Sequence, residues 1–369
     1  MATVAFLVNP ARIEARRLIA DAVPWLAAQG HKARVFELPD ADRASGQVPA
    51  GGLSGADISG ADLAVSLGGD GTFLRMVPLA YAARIPVLGV NFGRLGYLLE
   101  VEPDHFQEAL GRALLGDVAL EERTALAVTV EGALTPTPGD DRSIAGDGRT
   151  GGSQGRWWVA LNEAVVEKTV PGHMVHLSMG IDGAPCMTYQ ADGVLVATPT
   201  GSTAYSLSAG GPVMSPRLKA MIVTPVAPHL SIDRSLVLHP DQVVTVGVLG
   251  GRPAVLVVDG REVGRLDTAA EVTCRVAPEP LRVVSLGERG FAGILRSTLA
   301  PLWEGVNPGL GRPGGDTSTA RVGLGPHARE EPGLGRPGGD TSTARVGLGP
   351  HAREEPGLGR PGGETSTAC

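Results

Sequence analysis

With 369 residues, 43% of them hydrophobic, the chain is long enough for two folded domains with sizeable cores. Its formal charge of −7 lies wholly on residues 1–306, because residues 307–369 carry seven Arg against seven Asp and Glu; that balance argues against a nucleic-acid partner. Only three lysines occur, Lys32, Lys168 and Lys219, and none sits in a glycine-rich turn, which excludes a P-loop and leaves backbone amides and arginines to hold any phosphate.

Cys186, Cys274 and Cys369 are widely spaced and belong to no Cys-x-x-Cys or Cys/His cluster. They suit a reducing compartment, without a disulfide framework or a structural zinc site. Met1-Ala2-Thr3 lacks the charged start of a signal peptide, and no apolar run approaches the roughly 20 residues of a membrane span. The expectation is a cytoplasmic protein with no membrane partner.

In chain order, the continuous apolar run Val4–Val8, stopped by Asn9-Pro10, predicts a buried parallel strand. Arg16–Gln29 has helical spacing, Ala33–Leu38 predicts a second strand, and residues 40–60, rich in Gly, Ser, Ala and Asp, predict a loop. Leu63–Leu67 is the third strand. It runs into Gly68-Gly69-Asp70-Gly71-Thr72, followed by a helix over Thr72–Ala83 and a fourth strand over Pro86–Val90. Such alternation implies a doubly wound α/β sheet. The fourth strand ends in a second glycine-punctuated turn, Asn91–Leu98, and turns at that end of an open parallel sheet face the ligand crevice. Pro103–Leu115 predicts another helix, with an N-cap near Asp104.

From Thr124 the period becomes that of strands: Ala125–Val130, Trp157–Val166, Met174–Ile181, Val194–Ala197, Val243–Leu249, Ala254–Val258 and Val272–Val276. Asp182-Gly183 and Asp259-Gly260 are hairpin signals. The second domain is therefore mainly β, with residues 132–155, poor in apolar side chains, as a surface insertion. Gly290–Trp303 regains helical spacing. Beyond it a 24-residue unit recurs, with Pro308–Pro313 repeated at Pro332–Pro337 and Pro356–Pro361. The unit has almost nothing apolar to stack, so a disordered tail is expected over 306–369. The boundaries are thus 1–122 (α/β), 123–286 (β-rich), 287–305 (C-terminal segment) and 306–369 (tail).

Two stretches carry chemistry. A strand that ends in glycines and turns straight into a helix leaves the first helical N–H groups pointing at the turn, where phosphate is the usual occupant. Asp70 is the anomaly there, because a carboxylate beside phosphate repels it unless it binds a metal or accepts a proton. The alternative is that Gly68, Gly69 and Gly71 only permit a tight turn. The second stretch is Asp192-Gly193, four strand residues, and then Thr198–Pro212, whose hydroxyls and glycines suit phosphate and ribose oxygens, with Tyr205 as a stacking face. A plain polar loop is the alternative.

With both stretches in order, and with Asn91–Leu98, Asn162-Glu163, Pro228-His229 and Asp259-Gly260 around them, residues 3–303 resemble the NAD kinases. The first turn is shared with lipid kinases and, more loosely, phosphofructokinases, whereas Thr198–Tyr205 looks particular to NAD kinases. The resemblance implies transfer of the ATP γ-phosphoryl to the adenosine-ribose 2′-hydroxyl of NAD, with a divalent metal, Mg²⁺ in the usual case, and with Asp70 as proton acceptor. It implies that Gly68, Gly69, Asp70, Gly71, Thr72 and Arg75 meet NAD and phosphate. Asn162 and Glu163 align with contacts near the adenosine, His173 with a dinucleotide contact and Asp192 with a contact at the nicotinamide end. Thr203, Ala204, Tyr205, Ser206, Leu207 and Ser208 align with the loop that wraps NAD.

A Glu inside the apolar run Trp157–Val166 is costly if buried unpaired, which gives Glu163 a reason to meet a ligand hydroxyl. Gln190 stands where some relatives carry a basic residue, and Arg261 where others carry Gln. The family also implies a C-terminal segment returning to the first domain and a homo-oligomer, dimer or tetramer; inorganic polyphosphate is an alternative donor. The rival readings are a lipid or sugar kinase sharing only the first turn, and a non-catalytic dinucleotide sensor.

Overall fold

A strand apolar on both faces must be covered on both. In the computed structural model, which describes residues 1–38, 58–93, 98–138, 143–145, 156–229, 232–287, 290–293 and 295–296, the N-terminal apolar runs are the middle of such a covered sheet. The first lobe consists of β1 (Thr3–Val8), α1 (Ile13–Ala28), β2 (Lys32–Glu37), β3 (Leu63–Gly68), α2 (Asp70–Ala83), β4 (Val87–Asn91), α3 (Phe106–Leu115) and β5 (Ala119–Arg123). Val4, Phe6 and Val8 of β1 pack with α1 and α3 on one face, and Ala5 and Leu7 pack with Phe73, Met76 and Val77 of α2 on the other. β1 to β4 pair in parallel, so the doubly wound expectation holds. Two boundaries differ: α2 starts two residues earlier than predicted, at Asp70, and Pro103–His105 forms a 3-10 turn before α3, with no side-chain cap from Asp104.

The second lobe adds β6 (Leu126–Glu131), β7 (Leu134–Pro136), β8 (Ile144–Ala145), β9 (Arg156–Ala160), β10 (Glu163–Lys168), β11 (Val175–Ile181), β12 (Ala184–Ala191), β13 (Gly193–Ala197), the single turn α4 (Tyr205–Ser208), β14 (Met221–Val226), β15 (Leu236–Leu238), β16 (Val244–Leu249), β17 (Ala254–Val258), β18 (Arg261–Leu266), β19 (Glu271–Val276) and β20 (Leu281–Ser285). Two seven-stranded sheets, in the orders β15-β14-β13-β10-β17-β18-β7 and β12-β11-β16-β19-β6-β9-β8, face each other. Their inner residues, among them Val128, Leu177, Val196, Val246, Leu256 and Val272, form one core. The hairpin turns at Asp182-Gly183 and Asp259-Gly260 both have positive φ at both residues, as their sequences predict.

One feature corrects the sequence reading and two add to it. Trp157–Val166 is two strands rather than one, because the chain leaves one sheet at Ala160 and enters the other at Glu163. The insertion 132–155 carries two short strands: β7 extends a sheet edge beside β18, and β8 pairs with β9, while residues 139–142 and 146–155 lie outside the described residues. The segment that rejoins the first sheet is a strand, β20, which pairs with β4 in parallel and with β5 antiparallel. Of the predicted Gly290–Trp303 helix only residues 291–293 and 295–296 are described as helical. The loop over 40–57, the turn residues 94–97 and the repeat tail lie outside the described residues.

The two lobes meet along α2. Its outward face packs on β9 through Trp157 and Val159, and Tyr81 meets Trp157 edge to face with ring centroids 5.6 Å apart. This contact fixes where the N-terminus of α2 stands relative to the β sandwich. Among the described residues no helix is long and apolar enough to cross a membrane.

Candidate active site

Gly68 closes β3 and cannot carry a side chain, because a Cβ there would collide with the buried Thr72. Thr72 and Phe73 both donate backbone N–H bonds to the Gly69 carbonyl, at 2.9 and 3.1 Å, so the helix begins at once. Asp70 is its first residue and half-buried, and Gly71, next to it, is exposed with open space where a side chain would stand. Negative charge is stabilised near a helix N-terminus, so phosphate and carboxylate are both tolerated there. The second glycine turn adjoins the first, since the Phe92 N–H donates to the Gly68 carbonyl at 2.9 Å.

Across from α2, the bend between β9 and β10 carries Asn162 and Glu163. A cavity of about 180 Å³ is walled on one side by Gly71, Leu74 and Arg75 and on the other by Trp158, Asp259 and Arg261. Asp259 in turn accepts hydrogen bonds from the N–H groups of Leu161, Asn162 and Glu163. The helix with the glycine turn and the Asn162-Glu163 bend are thus neighbours through that cavity.

The Thr198–Pro212 loop is built onto the same bend. Thr198 donates its hydroxyl to the Leu161 carbonyl at 2.5 Å and its N–H to the Asn162 carbonyl at 2.9 Å. Gly201 lies flat against Asn162, where any Cβ would overlap the Asn162 carbonyl. Ser202 is locked by Pro199 and Met214. Behind the loop, Arg123 pairs with Glu121 at 2.5 Å and lines a small gap with Thr200 and Thr203, which ties the loop to the first sheet. Tyr205 opens α4, with its side chain exposed and its N–H donated to the Glu163 carboxylate.

Not all the predicted residues face the cleft alike. Ser206 points inward to Thr224 and is fully buried, while Thr203 bonds back to the Thr200 carbonyl. Ala204 and Leu207 are half-buried and Ser208 is exposed on the short turn. His173 lies exposed in the turn before β11, and among the described residues no hydrogen bond or ion pair joins its side chain to the cleft. Asp192 is gripped by Lys168 at 2.6 Å, a partner that the sequence reading noted only as not belonging to a P-loop.

The electrostatics are dominated by carboxylates. Glu163 is 5% exposed, and its carboxyl is pushed up to about 8, first by burial and then by the nearby Asp259 charge, against the opposing Tyr205 N–H. Its Oε2 is buried without a hydrogen-bond partner, which is the costly arrangement foreseen for a Glu in this run. Burial likewise raises Glu167, with Asp192 adding and Lys168 opposing. Burial, then Glu167, Asp192 and Glu163, hold the Tyr205 phenol above its ordinary range. Cys274 is buried with its thiol pushed up to about 12 by that burial, which rules it out as a nucleophile. Among the described residues no three His, Cys, Asp or Glu side chains converge into a metal cage. Among the described residues, Asp192 and Asp259 already hold Lys168 and three amides and so are not open metal ligands.

Known proteins share this architecture. The ATP-NAD kinase N-terminal domain profile matches residues 4–118, and the ATP-NAD kinase C-terminal domain profile matches residues 161–286. The NAD kinase of Nocardia farcinica is 39% identical over 240 residues, covering 65% of this chain and 68% of that one. The NAD kinase of Heliobacterium modesticaldum is 41% identical over 239 residues, covering 64% and 78%. The crystal structure of an NAD kinase from Archaeoglobus fulgidus in complex with ATP superposes with a TM-score of 0.59 at 25% identity, covering 80% of this chain and 99% of that one. Yeast NADH kinase complexed with NADH has the same fold, with a TM-score of 0.65 at 24% identity over 81% and 88% of the two chains. The chain therefore belongs to the ATP-NAD kinase family: it is a kinase whose phosphoryl acceptor is NAD.

Proposed function

We propose that the chain transfers the γ-phosphoryl of ATP to the adenosine-ribose 2′-hydroxyl of NAD, giving NADP and ADP, with Asp70 as the proton acceptor. The observation that carries this reading is the cavity that Gly71 and Arg75 share with the Asp259 hairpin, because it sets the Asp70 helix start beside the Asn162-Glu163 bend. Asn162, Glu163, Asp192 and the turn from Thr203 to Ser208 hold the dinucleotide, and Gly68–Thr72 with Arg75 hold phosphate. Burial of Glu163 with an unpartnered oxygen supports it as a group whose hydrogen-bond partner arrives with the substrate.

A ribose hydroxyl is far less acidic than a carboxylic acid, so its proton moves to Asp70 late, in a loose transition state. Most of the acceleration comes from holding hydroxyl and phosphorus in line. A divalent cation such as Mg²⁺ would be held by the phosphates of ATP, and the chemistry it would supply is neutralisation of their charge. The working unit is residues 1–305, with the repeat tail dispensable. Self-association would cover the short edge strand β15, where Val237 is exposed, and a homo-oligomer is part of the proposal.

The test is purified protein with Mg²⁺, NAD or NADH, and either ATP or polyphosphate, with NADP or NADPH as readout. ATP-dependent NADP formation is expected. Phosphorylation of diacylglycerol but not of NAD would overturn the reading in favour of a lipid kinase, and NAD binding without turnover would make the chain a sensor.

A further inference from the structure

The turn that joins β17 to β18 needs only a residue pair that accepts positive φ, and Asp259 and Gly260 take 48° and 72°. Asn-Gly would serve equally, so the turn itself does not explain a buried carboxylate. The carboxylate does something else. Its Oδ2 accepts the Leu161 N–H at 2.8 Å and its Oδ1 accepts the N–H groups of Asn162 and Glu163 at 2.7 and 3.1 Å. The Asp259 N–H closes the exchange by donating to the Glu163 carbonyl at 3.0 Å.

These three amides belong to the bend where the chain leaves one sheet for the other, so strand pairing is not what satisfies them. Without Asp259 they would be buried donors in search of an acceptor. The same hairpin also walls the cavity that Gly71 and Arg75 of α2 line. One carboxylate therefore links the helix with the glycine turn to the backbone that aims Asn162 and Glu163.

We propose that Asp259 is the positioning residue of the dinucleotide cleft, setting through its three amide contacts the direction in which the Asn162 and Glu163 side chains meet NAD. It rests on the reading that those two residues touch NAD. Asp259 also faces the Glu163 carboxyl, whose other titratable neighbour is Tyr205 of α4. Its negative charge disfavours a second one on Glu163, so removing that charge without removing the acceptor oxygen moves the pH at which Glu163 ionises downward.

Steady-state kinetics of wild type, Asp259→Ala, Asp259→Asn and Asn162→Ala between pH 5.5 and 9, with thermal midpoints recorded, test this. Asp259→Ala is expected to raise KM for NAD about tenfold or more, with KM for ATP and kcat changed less than about threefold. Asp259→Asn keeps an oxygen for two of the three amides and is expected to recover most of that loss. It should also shift the pH dependence of KM for NAD toward acid, because a neighbouring negative charge no longer opposes ionisation of Glu163. An unchanged NAD KM in Asp259→Ala, beside a raised one in Asn162→Ala, would overturn the positioning role alone. An unchanged NAD KM in Asn162→Ala would overturn the site reading as well. If Asp259→Ala does not fold, Asp259→Ser, which withdraws the acceptor from the amides, takes its place, and an unchanged KM for NAD there beside a raised one in Asn162→Ala would overturn the proposal.

Discussion

Two carboxylates near one cavity stand in contrasting surroundings: Asp259 lines it, and Asp70 immediately precedes Gly71 on the facing wall. Asp70 is half-buried at the mouth of α2, flanked by glycines that have nothing within 4 Å of a would-be Cβ. Asp259 is buried and bound by three amides, and it presses on a third carboxylate, Glu163, that is buried with one oxygen unpartnered. An exposed glycine beside a half-buried carboxylate suits a group that must meet incoming phosphate and hydroxyl. Saturation suits a group that holds backbone. The contrast is between a carboxylate at a glycine-flanked helix start and one enclosed by backbone amides.

The comparison breaks most severely at Gly201, where the loop rests on the bend. Gly201→Val forces a branched side chain into the Asn162 carbonyl and is expected to cost about 3 kcal/mol or more, read as a loss of thermal stability. A variant as stable as wild type would mean that loop and bend are not in contact.

Glu163 gives the next effect, with a defined sign. Its folded-state value of about 8 lies above the ordinary 4.5, so between those values the folded chain keeps a proton that the unfolded chain has lost. Stability of the ligand-free protein therefore falls as pH rises through that window, by on the order of a few kcal/mol, and flattens above it. Glu163→Gln removes this dependence. Urea unfolding at pH 5 and pH 9 checks it, and parallel curves for the two proteins would contradict the buried, proton-holding Glu163.

A smaller change is expected at Lys168, whose pair with Asp192 is partly exposed. Lys168→Ala should cost about 0.5–1 kcal/mol, with the cost shrinking as salt is raised. A salt-independent loss would point to packing instead. The smallest effect is expected from ending the chain at Gly305, which should leave activity and solubility unchanged; loss of either would give the repeats a role.

Legibility in the sequence follows the same contrast. The Asp70 turn could be read because its signal is local: an apolar run, glycines and a helix start within ten residues. The sandwich was legible as strand period, although its strands β7, β8, β12, β14, β15 and β18 escaped notice, as did β5 and β20 of the first sheet. β5 ends in three consecutive charged residues and β18 opens with two, so neither shows a strand period, and β12 carries polar and small residues along an exposed edge. Trp157–Val166 read as one strand because its apolar run hides the bend, which a carboxylate almost a hundred residues downstream stabilises. No period in the sequence carries that pairing. Asp259 showed itself only as half of a turn dipeptide, and Lys168 only as a scarce lysine.

The most direct test of the central claim is Asp70→Asn, assayed for NADP formation beside calorimetric titration with NAD. A proton acceptor at the open wall predicts a turnover loss of about a thousandfold, with NAD affinity kept within about threefold. Turnover preserved within a few-fold, with the variant folded and binding NAD, would contradict it and leave Asp70 as a ribose contact only.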